Sequence, residues 1–209
     1  MGFVPMPDFK LESDAGEVVA GIDEAGRGPW AGPVVAAAVL LDYGALGKDL
    51  LTGINDSKAL TSARRAALYD TLMASQAARF GTGLATVKEI DVSNILQATL
   101  LAMARAYEAL GVVADCALVD GDKAPALPCA VKTVVKGDSL SLSIAAASII
   151  AKVTRDRLMA ELAELHPGYG WETNQGDGTA EHREALNRLG ATPHHRKSYA
   201  PVRKALKLV

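Results

Sequence analysis

Two short apolar runs, Val18 to Asp23 and Cys116 to Asp120, each stop on an acid and meet glycine soon after; this device limits the folds open to the chain. Unbroken apolar stretches of that length fit strands buried on both faces, which arise where helices cover a sheet. Pro33 to Leu41 reads as another strand. The Gly/Pro-rich turn before it favours an antiparallel pair with the first. Phe80 to Thr86 and Val131 to Val135 complete the strand set.

Between these runs the period changes. Thr61 to Ala74 carries Leu68 and Leu72 at i, i+4 and is predicted helical, begun by Thr61 or Ser62. Ser93 to Leu110 presents Ile95, Leu96, Leu100, Met103 and Leu110 on one side and stops at Gly111. Leu142 to Leu165 is the longest helical pattern, ended by His166-Pro167-Gly168, and Thr179 to Leu189 stops at Gly190. Gly44 to Lys58 reads as a loop. The order β-β-α-β-α-β-β-α-α predicts an α/β fold, a mixed sheet covered by helices. Beyond about Gly168 there are helices and loops without strands, expected to form a small C-terminal appendage.

With 49% hydrophobic and 22% charged residues, the chain is too apolar to be disordered, and its 209 residues suit one domain. A net charge of -2 excludes a protein that coats nucleic acid by bulk charge, so any such site must be a local patch. Cys116 and Cys129 lack metal-type spacing and favour a reduced, cytosolic chain. Met1 to Lys10 does not read as a signal peptide. The longest apolar run, Val34 to Leu41, falls far short of the ~20 residues that span a bilayer.

The chemistry concentrates in Gly21-Ile22-Asp23-Glu24-Ala25-Gly26-Arg27-Gly28. Neighbours on a regular strand point to opposite faces, so for both acids to serve one site the strand is expected to finish at Asp23. Glu24 would then turn in from a loop that Gly26 and Gly28 make flexible. If the Asp23 and Asp120 strands lie parallel and adjacent, their terminal carboxylates meet at one sheet edge, where ligands of such sheets gather. Asp138, in Lys136-Gly137-Asp138-Ser139, could add a fourth oxygen. Clustered carboxylates need a cation among them, and oxygen donors without Cys or His select Mg²⁺ or Mn²⁺, hence phosphate chemistry. Taken singly, Asp120 also suits a turn, and Asp138 suits a helix N-cap. Gly26-Arg27-Gly28 followed by Gly32 imitates a dinucleotide fingerprint, but Pro29, Pro33 and the strand-like Val34 to Val39 break that pattern.

Read in order, Gly-Ile-Asp-Glu-Ala-Gly-Arg-Gly-Pro at 21–29, Asn-Asp-Ser-Lys at 55–58, Val-Asp-Gly at 119–121 and Gly-Asp-Ser at 137–139 resemble the ribonuclease HII family. So do Ser-Ile-Ala-Ala-Ala-Ser-Ile-Ile-Ala-Lys at 143–152 and Thr-Pro-His-His-Arg-Lys-Ser at 192–198. The resemblance spans about Val18 to Ser198 and implies a ribonuclease H-like catalytic domain over 1–167 with a helical extension over 168–209 packed on it. It implies Asp23, Glu24, Asp120 and Asp138 as catalytic metal ligands for two Mn²⁺ or Mg²⁺ ions in the substrate complex. One ion would activate water and the other stabilise the leaving 3′-oxygen, giving 3′-hydroxyl and 5′-phosphate ends. The implied substrates are RNA/DNA hybrids or DNA duplexes containing ribonucleotides, with a cytoplasmic monomer expected and no membrane.

Distinguishing RNA means sensing the 2′-hydroxyl, both donor and acceptor, and by the resemblance Gly26, Arg27 and Gly28 contact that ribonucleotide. Lys58, Ser148 and Lys152 are candidate phosphate contacts, the last two at i, i+4 on one helix face. Arg196, Lys197, Arg203, Lys204 and Lys207 form a tail without acids that could follow a phosphate backbone. His166 and His182 lack partners at ligand spacing and read as structural. One departure stands out: where the family usually carries Lys and Tyr, this chain has Gln175 and Asp177. The family tyrosine packs on the sugar after the ribonucleotide, whereas an aspartate cannot stack and repels phosphate. Tyr169 or Trp171 are candidates to replace the ring. Rival readings are another nuclease of the same fold, such as a junction resolvase, and a silent hybrid-binding module.

Overall fold

The computed structural model describes residues 7–55 and 60–207. In chain order the elements are α1 (Lys10–Ser13), β1 (Val19–Ala25), β2 (Val34–Leu41), α2 (Lys48–Asn55), α3 (Ser62–Ala74), β3 (Ala78–Ala85) and α4 (Val87–Val92). There follow α5 (Ile95–Leu110), β4 (Cys116–Asp120), β5 (Ala130–Val134), a 3-10 turn (Gly137–Ser139), α6 (Leu142–Leu165), α7 (Trp171–Asn174), α8 (Ala180–Leu189) and α9 (Ala200–Ala205).

The strands form one mixed sheet in the order β3-β2-β1-β4-β5. β1 pairs antiparallel with β2, as the turn between them favours, and parallel with β4, the condition under which their acids would meet, and β5 joins β4 in parallel. One face packs on α5, where Ala98, Ala102 and Ala106 meet Ile22, Val34 and Val119. The approach is close because β3 carries Gly81 and Gly83: a Cβ on either would come within 2.4 Å of an α5 carbonyl. The opposite face packs on α6. Ala145, Ala146 and Ala147 are all fully buried, because α6 is roofed in turn by α2 and α3.

The boundaries depart from the sequence expectation in instructive places. β1 does not finish at Asp23; it runs to Ala25, because β2 goes on pairing with it through Asp23↔Ala37, Glu24↔Ala36 and Ala25↔Val35. Only the β4 flank ends early, at Ile22↔Val119. The expected loop from Gly44 contains α2, whose Leu50 and Ile54 are buried beside Leu68; Gly53 had hidden the helical period, and it permits close contact with Leu68.

After α6 the chain builds a smaller core from Ala31, Met159, Ala163, Tyr169, Trp171 and Ala185. A bridge between Ala31 and His195 ties the C-terminal segment to the stretch between β1 and β2. Backbone bonds from Arg196 to Trp30 (2.8 Å), Gly32 to His194 (2.9 Å) and Trp30 to Gly176 (2.8 Å) extend that seam.

Candidate active site

The β1–β4 register decides where the acids stand. Ile22 lies opposite Val119, so the next step sets Asp23 beside Asp120, the last residue of β4. Glu24 leaves β1 on the other side, but β4 has ended there, and the longer side chain reaches the same corner. One carboxylate oxygen from each of Asp23, Glu24 and Asp120 lies within 4.8 Å of the other two. The convergence expected from sequence is therefore achieved without ending the strand.

Backbone donors steady the cluster. The Glu24 amide donates to Asp23 Oδ1 at 2.7 Å, and the Gly137 amide donates to Asp120 Oδ1 at 2.6 Å. Arg27 donates to Glu24 Oε1 at 3.3 Å, while Glu24 Oε2 is buried without a partner among the described residues. Burial raises the pKa of Asp23, and the charges of Glu24 and Asp120 raise it further, against a bond from Ser148. Burial also raises Glu24, with Arg27 opposing, and raises Asp120, with the Gly137 amide opposing. Three oxygen donors, mutual repulsion and an orphaned buried oxygen fit a hard divalent cation, which these residues could hold.

Asp138 is placed differently. It sits on the 3-10 turn, lines the same cleft as Glu24, and its charge is felt by Asp120, but it stands outside the group of three. Nor is it the N-cap of α6, since Ser141 accepts from the Ile144 amide.

The cleft, about 430 Å³, has the Glu24–Pro29 segment on one side and Ser148, Lys152 and Arg155 of α6 on another; Gln175 and Asp177 also line it. Arg27 and Gly28 are exposed within it. Lys152 Nζ bonds Asp156 at 2.7 Å. Lys58 lies outside the described residues.

Several expectations need correction. Tyr169 and Trp171 cannot replace the family's ring, because both are buried and stacked on each other at 5.1 Å. Arg196 does not belong to a surface tail; it is fully buried under the glycine loop, although Lys197, Arg203, Lys204 and Lys207 are exposed. His182 has a structural position, bonded to Trp171 Nε1, His195 and the Asp177 carbonyl. The sequence reading missed Arg155 and Arg65, which line the cleft; Arg155 follows Ser148 and Lys152 at helical spacing, a signal that could have found it.

A mixed sheet with clustered carboxylates on adjacent parallel strand ends defines a ribonuclease H-type hydrolase, and comparisons with known proteins agree. Residues 20–202 match the family described as ribonuclease HII, and the chain belongs to that family. It is 60% identical over 201 residues to ribonuclease HII of Rhodospirillum rubrum, covering 96% of this chain and 92% of the relative. With ribonuclease HII of Paramagnetospirillum magneticum it shares 59% over 197 residues, 94% and 97% of the two chains. Among solved structures, ribonuclease H2 from Pyrococcus horikoshii superposes with a TM-score of 0.76 at 29% identity, covering 91% and 98%. Family and fold together support an endonuclease acting on RNA/DNA hybrids. No helix among the described residues is long and apolar enough to cross a membrane.

Proposed function

We propose that the chain, as a cytoplasmic monomer, cuts the RNA strand of RNA/DNA hybrids and strands with embedded ribonucleotides, leaving 3′-hydroxyl and 5′-phosphate ends. Asp23, Glu24 and Asp120 would hold Mn²⁺ or Mg²⁺, and Asp138 would be a fourth ligand where two ions are bound with substrate. The observation that carries this reading is the meeting of three carboxylates within 4.8 Å, with Glu24 Oε2 left unpartnered. Two bound ions supply activation of the attacking water and charge stabilisation at the leaving oxygen. The protein's own part is to fix the phosphodiester: Ser148 and Lys152 face it from α6, and Gly26, Arg27 and Gly28 meet the ribose, with Lys58 a further phosphate contact proposed from sequence alone. Residues 1–167 act as the catalytic unit and 168–209 as the extension that brings Gln175 and Asp177 to the cleft.

Mn²⁺-dependent digestion of a hybrid beside an all-DNA duplex tests this. The hybrid should be cut and the DNA left intact; binding without cutting would indicate a silent module, and cut DNA a resolvase-like enzyme. Asp177, exposed in the cleft where the family has tyrosine, weakens recognition of an RNA-to-DNA junction. Asp177→Tyr should therefore improve cutting at a single embedded ribonucleotide several-fold, about 1 kcal/mol of added stacking, with less change on long hybrids. An unchanged ratio between the two substrates would remove that role.

A further inference from the structure

The glycine loop rests on two buried cations. Arg196 is fully buried and Arg155 is 2% exposed, and no ion pair joins either to a carboxylate among the described residues. Their partners are backbone carbonyls. Arg196 donates to Gly26 O at 2.5 Å, Arg27 O at 2.9 Å, Gly32 O at 3.0 Å and Pro33 O at 3.3 Å. Arg155 donates to Pro33 O at 2.9 Å, Gln175 O at 2.9 Å and Ala31 O at 3.0 Å. Tyr199 closes the set: its hydroxyl accepts from Arg196 at 3.0 Å and donates to Arg27 O at 2.5 Å.

Peptide geometry turns this capture into a direction. Every peptide here is trans, so each carbonyl points opposite to the N–H of the following residue. With Gly26 O and Arg27 O drawn inward, the N–H groups of Arg27 and Gly28 face away, toward the cleft those residues line. Neither N–H finds a backbone acceptor among the described residues. Two adjacent outward donors suit the oxygen of a 2′-hydroxyl or of its phosphate. The arrangement also explains Gly26, where a Cβ would fall 2.0 Å from Arg155 Nε and where φ is +96°.

We propose that Arg196, supported by Arg155 and Tyr199, is a positioning residue that aims the Arg27 and Gly28 amides at the substrate ribose and so sets the preference for an RNA strand. This rests on the reading of the cleft given above. A neutral core could satisfy the same carbonyls without burying two like charges, a costly choice that a merely structural role does not require. Arg155, pushed down to about 10 by burial and then by Arg196, still carries its proton at neutral pH and keeps its fork of donors.

The test measures affinity for a hybrid and for an all-DNA duplex of the same sequence, with divalent ions chelated so that binding is read apart from cutting. Arg196→Lys keeps the charge but loses the fork. It should narrow the hybrid-over-DNA preference about tenfold, through weaker hybrid binding at unchanged DNA affinity. Tyr199→Phe, which leaves both arginines in place, should narrow it about threefold and carries the test if Arg196→Lys does not fold. A folded Arg196→Lys, or Tyr199→Phe, that retains the wild-type ratio overturns the proposal. A wild-type chain with no preference for the hybrid would instead remove the underlying reading, and this inference with it.

Discussion

The acidic corner and the underside of the glycine loop both crowd like charges into the interior, and they resolve the conflict in opposite ways. At the corner, three carboxylates share a space of 4.8 Å and one buried oxygen has no partner among the described residues, so relief must come from outside. Under the loop, Arg155 and Arg196 spend their donors on backbone carbonyls, so relief is built in. The first region is thus prepared to receive a cation, and the second to hold a shape. Only the first should respond strongly to added metal.

The largest way to break this contrast is Asp23→Asn. Cutting in Mn²⁺ should fall by more than about 1000-fold while most hybrid affinity remains. Because burial and its neighbours raise the Asp23 pKa, the ionised side chain opposes folding once pH rises through the carboxylate range. The metal-free variant should therefore melt above wild type at neutral pH. Saturating Mn²⁺ should stabilise wild type, by ~2.7 kcal/mol at 100 times Kd, and stabilise Asp23→Asn less. An equal rise in both thermal melts would show that the ion binds elsewhere.

Arg155→Met makes the converse change. It strands the Ala31, Pro33 and Gln175 carbonyls and should cost about 3 kcal/mol in urea unfolding, with or without metal. A metal-dependent loss would contradict the separation of the two regions.

The smallest effect concerns pH. Trp171 Nε1–H donates to His182 Nε2, and His182 Nδ1 faces the Asp177 carbonyl, so His182 belongs in its neutral form. Burial, then the neighbouring histidines, lowers His195 to about 4, and burial lowers His182 as well. Folded pKa values below the ordinary 6.5 mean that the unfolded chain takes up protons first as acid is added. The contribution of these histidines to stability should be full above pH 6.5 and decline between about 6.5 and 4, by on the order of 2 kcal/mol. His195→Gln should flatten that slope in equilibrium unfolding across the same range.

Much of the sheet was legible because β1, β2 and β4 are buried on both faces and read as unbroken apolar runs. The acids at Asp23, Glu24 and Asp120 were legible for the same reason: charge at the end of such a run is costly without a purpose. The continuation of β1 past Asp23 was not, since pairing with β2 depends on a partner strand and not on local pattern. Arg155 and Arg196 were hidden most thoroughly. Arginine in a helix or a basic tail ordinarily reads as solvated, and nothing local shows that most of its acceptors are carbonyls more than 100 positions away in sequence.

That distance has a consequence for how the molecule comes into being. Gly26 and its clamp Arg196 are separated by 170 positions, so a ribosome makes the loop well before the residue that sets it. A growing chain can thus assemble its sheet and gather its carboxylates well before the loop proposed to tell one sugar from another takes its shape.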